Sequence, residues 1–184
     1  MSQPDYLLLL NKPAAERLYL MLQSGLICHD HYIPFCDNVI LDEATPPGWI
    51  LELATVTDTP DALTIIGKYV WSEPFIQFEA SVDFYIACLF LRYQQCQISW
   101  ETFLKLAGRY SDAYQEGRYD CSYYYGMLNA LEDCDYDLRC EKNQVQEIDR
   151  QFATVISSAR ELYNDFVLWF NKGKSQNIIR QSHV

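Results

Sequence analysis

Apolar positions along this 184-residue chain recur mostly at the three- and four-residue intervals of a helix, with few stretches of strand-like alternation. Tyr6 to Leu10 reads as a short apolar turn. Asn11 is then placed to cap a helix whose Pro13 falls early, where a missing N–H costs nothing. Leu18, Met21 and Leu22 share the inner face of that helix, and Gly25 ends it. Between Gly25 and Gly48, Pro34, Pro46 and Pro47 interrupt the period, so this stretch reads as one long irregular loop with a short extended piece at Val39-Ile40-Leu41. Trp49 to Val56 predicts a short apolar helix. Asp58 or Thr59 followed by Pro60 opens the next, with Leu63, Ile66, Tyr69 and Val70 on one side, and Glu73-Pro74 breaks it.

From Phe75 to Gln95 the helical positions Phe78, Val82, Tyr85, Ile86, Leu89 and Tyr93 are apolar, and Phe84, Cys88 and Leu91 fill the opposite side. A helix apolar nearly all round belongs at the centre of its domain. Ser99 caps a helix with Trp100, Phe103, Leu104 and Ala107 inward, and Glu101 precedes Lys105 by four residues, the favourable order for a helical ion pair. Gly117 separates it from a tyrosine-rich helix, Tyr123 through Leu131. The last helix runs from about Asn143 to Asn171 on a stripe that includes Ile148, Phe152, Ile156, Phe166 and Phe170, and Gly173 ends it. The expectation is an all-α, single-domain bundle of about six helices over residues 1–172, followed by a basic tail, 173–184. The final stripe is wider than a strict heptad seam, which favours core over a homo-oligomer interface, although a homo-oligomeric structural protein stays as an alternative.

Composition supports a folded chain: 49% apolar residues and 15% aromatics supply the burial that disordered chains lack. A net charge of -11 argues against nucleic acid and against anionic membranes as partners, because both are met with clustered Lys and Arg. The first residues carry no basic region, and the longest later apolar run, Phe84 to Leu91, is far short of a membrane span, so the expected location is the cytosol. Seven cysteines, an odd number with no CxxC spacing, fit reduced thiols better than a disulfide framework.

The acids are unevenly spread. Leu18 to Gly67 holds seven carboxylates, Asp37, Asp42 and Glu43 among them, and no Lys or Arg. A second segment from Asp112 to Glu141 carries Asp112, Glu116, Asp120, Glu132, Asp133, Asp135, Asp137 and Glu141 against Arg118 and Arg139 only. Charge of one sign concentrated in this way steers a basic partner, and interleaved tyrosines such as Tyr123 can anchor it. The candidate partner-binding residues are Asp37, Asp42, Glu43, Asp112, Glu116, Asp120, Tyr123, Glu132, Asp133, Asp135 and Asp137. The bland alternative is a solubilising acidic surface over tyrosines that face the core.

Other constellations carry less. Cys28, His29, His31 and Cys36 are zinc-ligand types, but their spacing matches no zinc pattern, and no third group orients a Cys28–His pair for nucleophilic attack. Asp133, Asp135 and Asp137 alternate like a calcium loop that then fails, with Leu138 where Gly is needed and Gln144 where the bidentate Glu belongs. A metal-dependent enzyme using the Cys28–His31 or Asp133–Asp137 cluster is therefore the alternative and not the lead. There is no GxGxxG, P-loop, GxSxG or HExxH, and no cofactor is expected.

The segment Pro47-Gly48-Trp49-Ile50-Leu51-Glu52-Leu53-Ala54 resembles one found in small acidic immunity proteins of bacterial toxin–immunity systems, including contact-dependent inhibition. That resemblance implies a non-catalytic cytoplasmic protein that binds a cognate toxin domain, often a basic nuclease, and blocks it. The stretch from Gly25 to Pro46 has no place in that pattern.

Overall fold

The computed structural model describes residues 10–181 apart from Gln115, with side chains to Asn171. The apolar turn expected at Tyr6 to Leu10 lies almost wholly outside the described residues. Among the described residues there are eight helices and no strand, so the all-α class holds while the helix number exceeds the six expected. The chain packs as two compact units, one built from residues up to Phe78 together with those from Glu161 onward, the other from Glu79–Arg160.

The first unit opens with α1 (Lys12–Gln23), where the Asn11 side chain accepts the Ala14 N–H at 2.9 Å, as its position before Pro13 predicts. Gly25, with φ of 75°, turns the chain out of it. The irregular loop expected between Gly25 and Gly48 is instead mostly a helix, α2 (His29–Asp42), and the extended piece expected at Val39-Ile40-Leu41 is its last full turn. Pro34 sits inside it. An interior proline costs about 3 kcal/mol. Tyr32, Phe35, Cys36 and Val39 recur at i, i+3, i+4 and i+7, all four are buried, and each large apolar side chain gains about 1.5–3 kcal/mol on burial, so the stripe outweighs the proline.

α3 (Gly48–Leu53) is the short helix expected after Pro46-Pro47, and α4 (Thr59–Val70) starts at the Asp58 cap with Pro60 in its first turn. α4 packs on α1 and α3, and α2 packs on α3. Trp49 is buried and stacks on Tyr69 with ring centroids 5.0 Å apart. Tyr32 donates to the Val56 carbonyl at 2.7 Å, and Tyr69 to that of Leu10 at 2.8 Å. Lys12 lays its ammonium on the Ser72 and Pro74 carbonyls just beyond α4, which closes this end of the unit.

In the second unit α5 (Ser81–Gln94) is buried from Val82 through Leu91, the central position that its all-round apolar sequence predicts. It begins six residues later than Phe75, because Ala80 adopts a left-handed conformation with φ of 55° ahead of it. α6 (Trp100–Ala113) is capped by Ser99 and carries the expected Glu101–Lys105 ion pair. α7 (Cys121–Asp133) packs along α6. The final helix, α8 (Leu138–Gln181), starts five residues earlier than Asn143 and continues past Gly173. Of the expected tail, 173–181 are helical and 182–184 lie outside the described residues. Ile148, Phe152, Ile156 and Ala159 bury the first part of α8 in the second unit, and Phe166 and Trp169 pack on Phe35 in the first.

Candidate functional site

The second unit holds a cleft of about 320 Å³ where α6 ends and α7 begins, lined by Ser111, Asp112, Gly117, Tyr119, Asp120 and Cys121. The stretch 116–120 forms its rim, and it is fixed from below. Asp83, a buried acid on α5, accepts the Arg118 N–H at 2.8 Å and faces the Arg118 guanidinium, whose carbon lies 5.2 Å from the centre of the Phe152 ring. Gly117 allows the close approach, since a Cβ there would stand 2.7 Å from the Val82 side chain. The one cation of the rim is thereby turned to Asp83.

Asp120 caps α7: its Oδ1 accepts from the Ser122 hydroxyl at 2.6 Å and the Ser122 N–H at 3.0 Å. The hydroxyl bond first, then the backbone donors, hold its carboxyl below the usual range, so it stays charged. Across the cleft the Cys121 thiol contacts Asp112 Oδ1 at 3.6 Å, and desolvation together with the Asp112 and Asp120 charges pushes that thiol up, away from thiolate reactivity. Tyr119 stacks on Tyr123 with ring centroids 3.9 Å apart. Burial raises the Tyr123 phenol to about 12.

Beneath the cleft the hydroxyls of Ser111, 3% exposed, and Tyr124, fully buried, lie against each other.

The candidate binding residues therefore separate. Asp112 and Asp120 line the cleft, Glu116 is exposed on its rim, and Tyr123 backs Tyr119. Glu132, Asp133, Asp135 and Asp137 are exposed at the far end of α7, about 18 Å along the helix axis from Asp120 at 1.5 Å per residue. Asp37 and Asp42 are exposed on α2, and Glu43 ends that helix half-buried, all in the first unit. Ser111 was not among the candidates. Its signal was a polar residue on the buried Leu104-Ala107-Ser111 stripe of α6.

The Cys28–His31 cluster is a helix cap: His31 Nδ1 accepts the Cys28 N–H at 3.2 Å and touches its sulfur at 3.4 Å. The ring lies between Tyr163 and Phe170, and burial holds its pKa low. Cys36 faces the core. Asp133 ends α7, and Asp135 and Asp137 follow around a tight turn in which Asp135 and Tyr136 have positive φ. Among the described residues no three His, Cys, Asp or Glu side chains converge as metal ligands would, and no helix is long and apolar enough to cross a membrane. No protein-family model matches the chain, and no curated protein or solved structure matches it either.

Proposed function

We propose that this is a non-catalytic cytoplasmic binding protein that neutralises a basic toxin domain by direct association. The observation that carries the reading is the cleft at the start of α7, where Asp112 and Asp120 lie beside Tyr119, Glu116 is exposed on the adjoining stretch, and Arg118 of that stretch is tied to Asp83. Clustered carboxylates attract a basic surface and speed its approach, and the stacked Tyr119 and Tyr123 rings offer aromatic contact area at little entropic cost. The likeness of Pro47 to Ala54 to immunity proteins narrows the basic partner to a toxin. In this chain that segment forms α3 with Trp49 turned into the core, so the likeness bears on the scaffold and contact falls to the acids.

The test is binding of the full chain to basic toxin domains encoded beside its gene, measured by calorimetry across a salt series. Tight binding that weakens steeply with salt, together with relief of toxicity on co-expression, is expected. Failure of every such domain to bind at low salt overturns the reading.

A further inference from the structure

We infer that Cys134 and Cys140 are a redox-active pair, which exchanges with a small cationic disulfide to form a reversible internal disulfide that staples the α7–α8 turn. The inference does not depend on the identity of any protein partner. The two cysteines meet at one oxygen atom. The Cys134 N–H donates to the Ala130 carbonyl at 3.2 Å as α7 ends, and the Cys140 thiol, in the first turn of α8, donates to the same carbonyl at 3.6 Å. Between them the chain reverses through Asp135 and Tyr136, both left-handed with φ of 49° and 58°, and the Asp137 N–H closes on the Cys134 carbonyl at 3.0 Å. The two thiols lie side by side, and Gln144, one turn further along α8, donates to the Cys140 sulfur at 3.7 Å. Thiols placed together by the backbone on both flanks have the proximity that a disulfide demands. Apolar packing does not account for the pair, because Cys134 is exposed and Cys140 half-buried, unlike Cys36 and Cys88 in the core.

Exposure assigns the order of attack. The Cys134 thiolate attacks one sulfur of the reagent disulfide and expels the other half as a thiolate. Cys140, whose thiol is raised by desolvation and then by the neighbouring Cys134, follows: it attacks the Cys134 sulfur of the mixed disulfide and expels the second half. Two protein thiols are oxidised, the reagent is reduced to two thiols, and the two protons pass to them, so no further oxidant is needed. A reducing thiol runs the same steps backward. Over residues 133–139 the exposed charges are Asp133, Asp135 and Asp137 against Arg139, which favours a cationic disulfide over an anionic one. The bond closes a ring over residues 134–140 and leaves the unfolded chain less freedom to gain.

The experiment incubates the reduced full chain with cystamine, a cationic disulfide, or with anionic glutathione disulfide, quenches with iodoacetamide and maps the cysteines by tryptic mass spectrometry. Cleavage after Arg139 separates the pair, so the bond appears as peptide 119–139 joined to peptide 140–142, with fragment ions placing it at Cys134 and not at Cys121. That link is expected with cystamine, reversed by dithiothreitol, and several-fold slower with glutathione disulfide at low salt, a gap that narrows as salt rises. Cys140→Ser should stop at a cystamine adduct on Cys134, and Cys134→Ser should form no link. The oxidised wild-type chain should melt about 4–8 °C above the reduced one, a rise absent from Cys134→Ser treated in the same way. The wild-type peptide map needs no variant and decides the matter if either serine variant unfolds. A Cys134 adduct that persists in the wild-type protein as one does at exposed Cys96, a link to Cys121 or between two chains, or a melt no higher than that of the reduced chain overturns the staple. Equal rates with the two reagents at low salt overturn its preference for a cationic disulfide.

Discussion

Gln144 Oε1 accepts the indole N–H of Trp100 at 2.7 Å, and the Gln144 amide nitrogen donates to the Met127 carbonyl at 2.8 Å, so one buried side chain ties the start of α6 to α7 and α8. Gln144 stands at the position where a calcium loop would have its glutamate, and here it serves the core. Gln144→Met keeps the volume and leaves the indole donor without a partner, so the second unit should lose about 1–3 kcal/mol of unfolding free energy. Urea unfolding followed by tryptophan fluorescence checks it. The double variant with Trp100→Phe should lose less than the sum of the single losses, because the cost lies in the orphaned donor.

The α6–α7 contact makes two glycines opposite in sign. Gly108 packs under the Tyr125 ring, and a Cβ there would come within 2.8 Å of it. Gly108→Ala should destabilise by about 1–3 kcal/mol as the ring is displaced. Gly126 is exposed inside α7 with nothing near its would-be Cβ, so Gly126→Ala should stabilise by about 0.5–1 kcal/mol through helix propensity. Thermal melts of the pair shifting the same way would contradict this packing.

Burial keeps His31 below its ordinary value of 6.5, and the ring nitrogen that accepts the Cys28 N–H must be unprotonated. The unfolded chain regains the ordinary value, so between the two it is the unfolded state that binds the proton. The stability due to neutral His31 is full above 6.5 and is lost as pH falls through the lower folded value. His31→Gln keeps an acceptor at the third helical position, where Gln commonly closes a capping box, but cannot titrate. Between about pH 7.5 and about pH 5.5 the wild-type protein should lose more unfolding free energy than this variant, as read by urea titration at each pH. Parallel slopes would show that the ring takes its proton as readily folded as unfolded.

What the sequence made legible follows from which signals are local. Asn11 and Ser99 cap the helices they were expected to cap, and Asp58, one of the two residues offered for the start of α4, caps that one, because a side-chain oxygen three residues before its donor needs no tertiary help. The central place of α5 was equally readable from its all-round apolar face. α2 was not: Pro34 reads locally as a stop, and only packing against Trp169 and Phe166 explains why the Tyr32-Phe35-Cys36-Val39 stripe prevails. The site divided in the same way. Asp112, Glu116 and Asp120 were visible as charge, whereas the cleft depends on Asp83 seizing Arg118 from 35 residues away and on a serine hidden in an apolar stripe.

Cysteine chemistry tests that disputed helix directly. Cys36 is fully buried on the α2 stripe, and desolvation, with Asp37 adding to it, raises its thiol well above the ordinary range. Cys88 is fully buried on α5, whereas Cys96 and Cys134 are exposed. Cys121 and Cys140 fall between, with thiols raised first by desolvation and then by Asp112 in the one case and Cys134 in the other. Only thiolate is alkylated, so iodoacetamide at about pH 8 should label Cys96 and Cys134 first, Cys121 and Cys140 more slowly, and Cys36 and Cys88 only in urea. Mass spectrometry of the peptides gives the order. An irregular loop over residues 25–48 would leave Cys36 labelling about as fast as Cys96, and the buried stripe that holds Pro34 in a helix would then not exist.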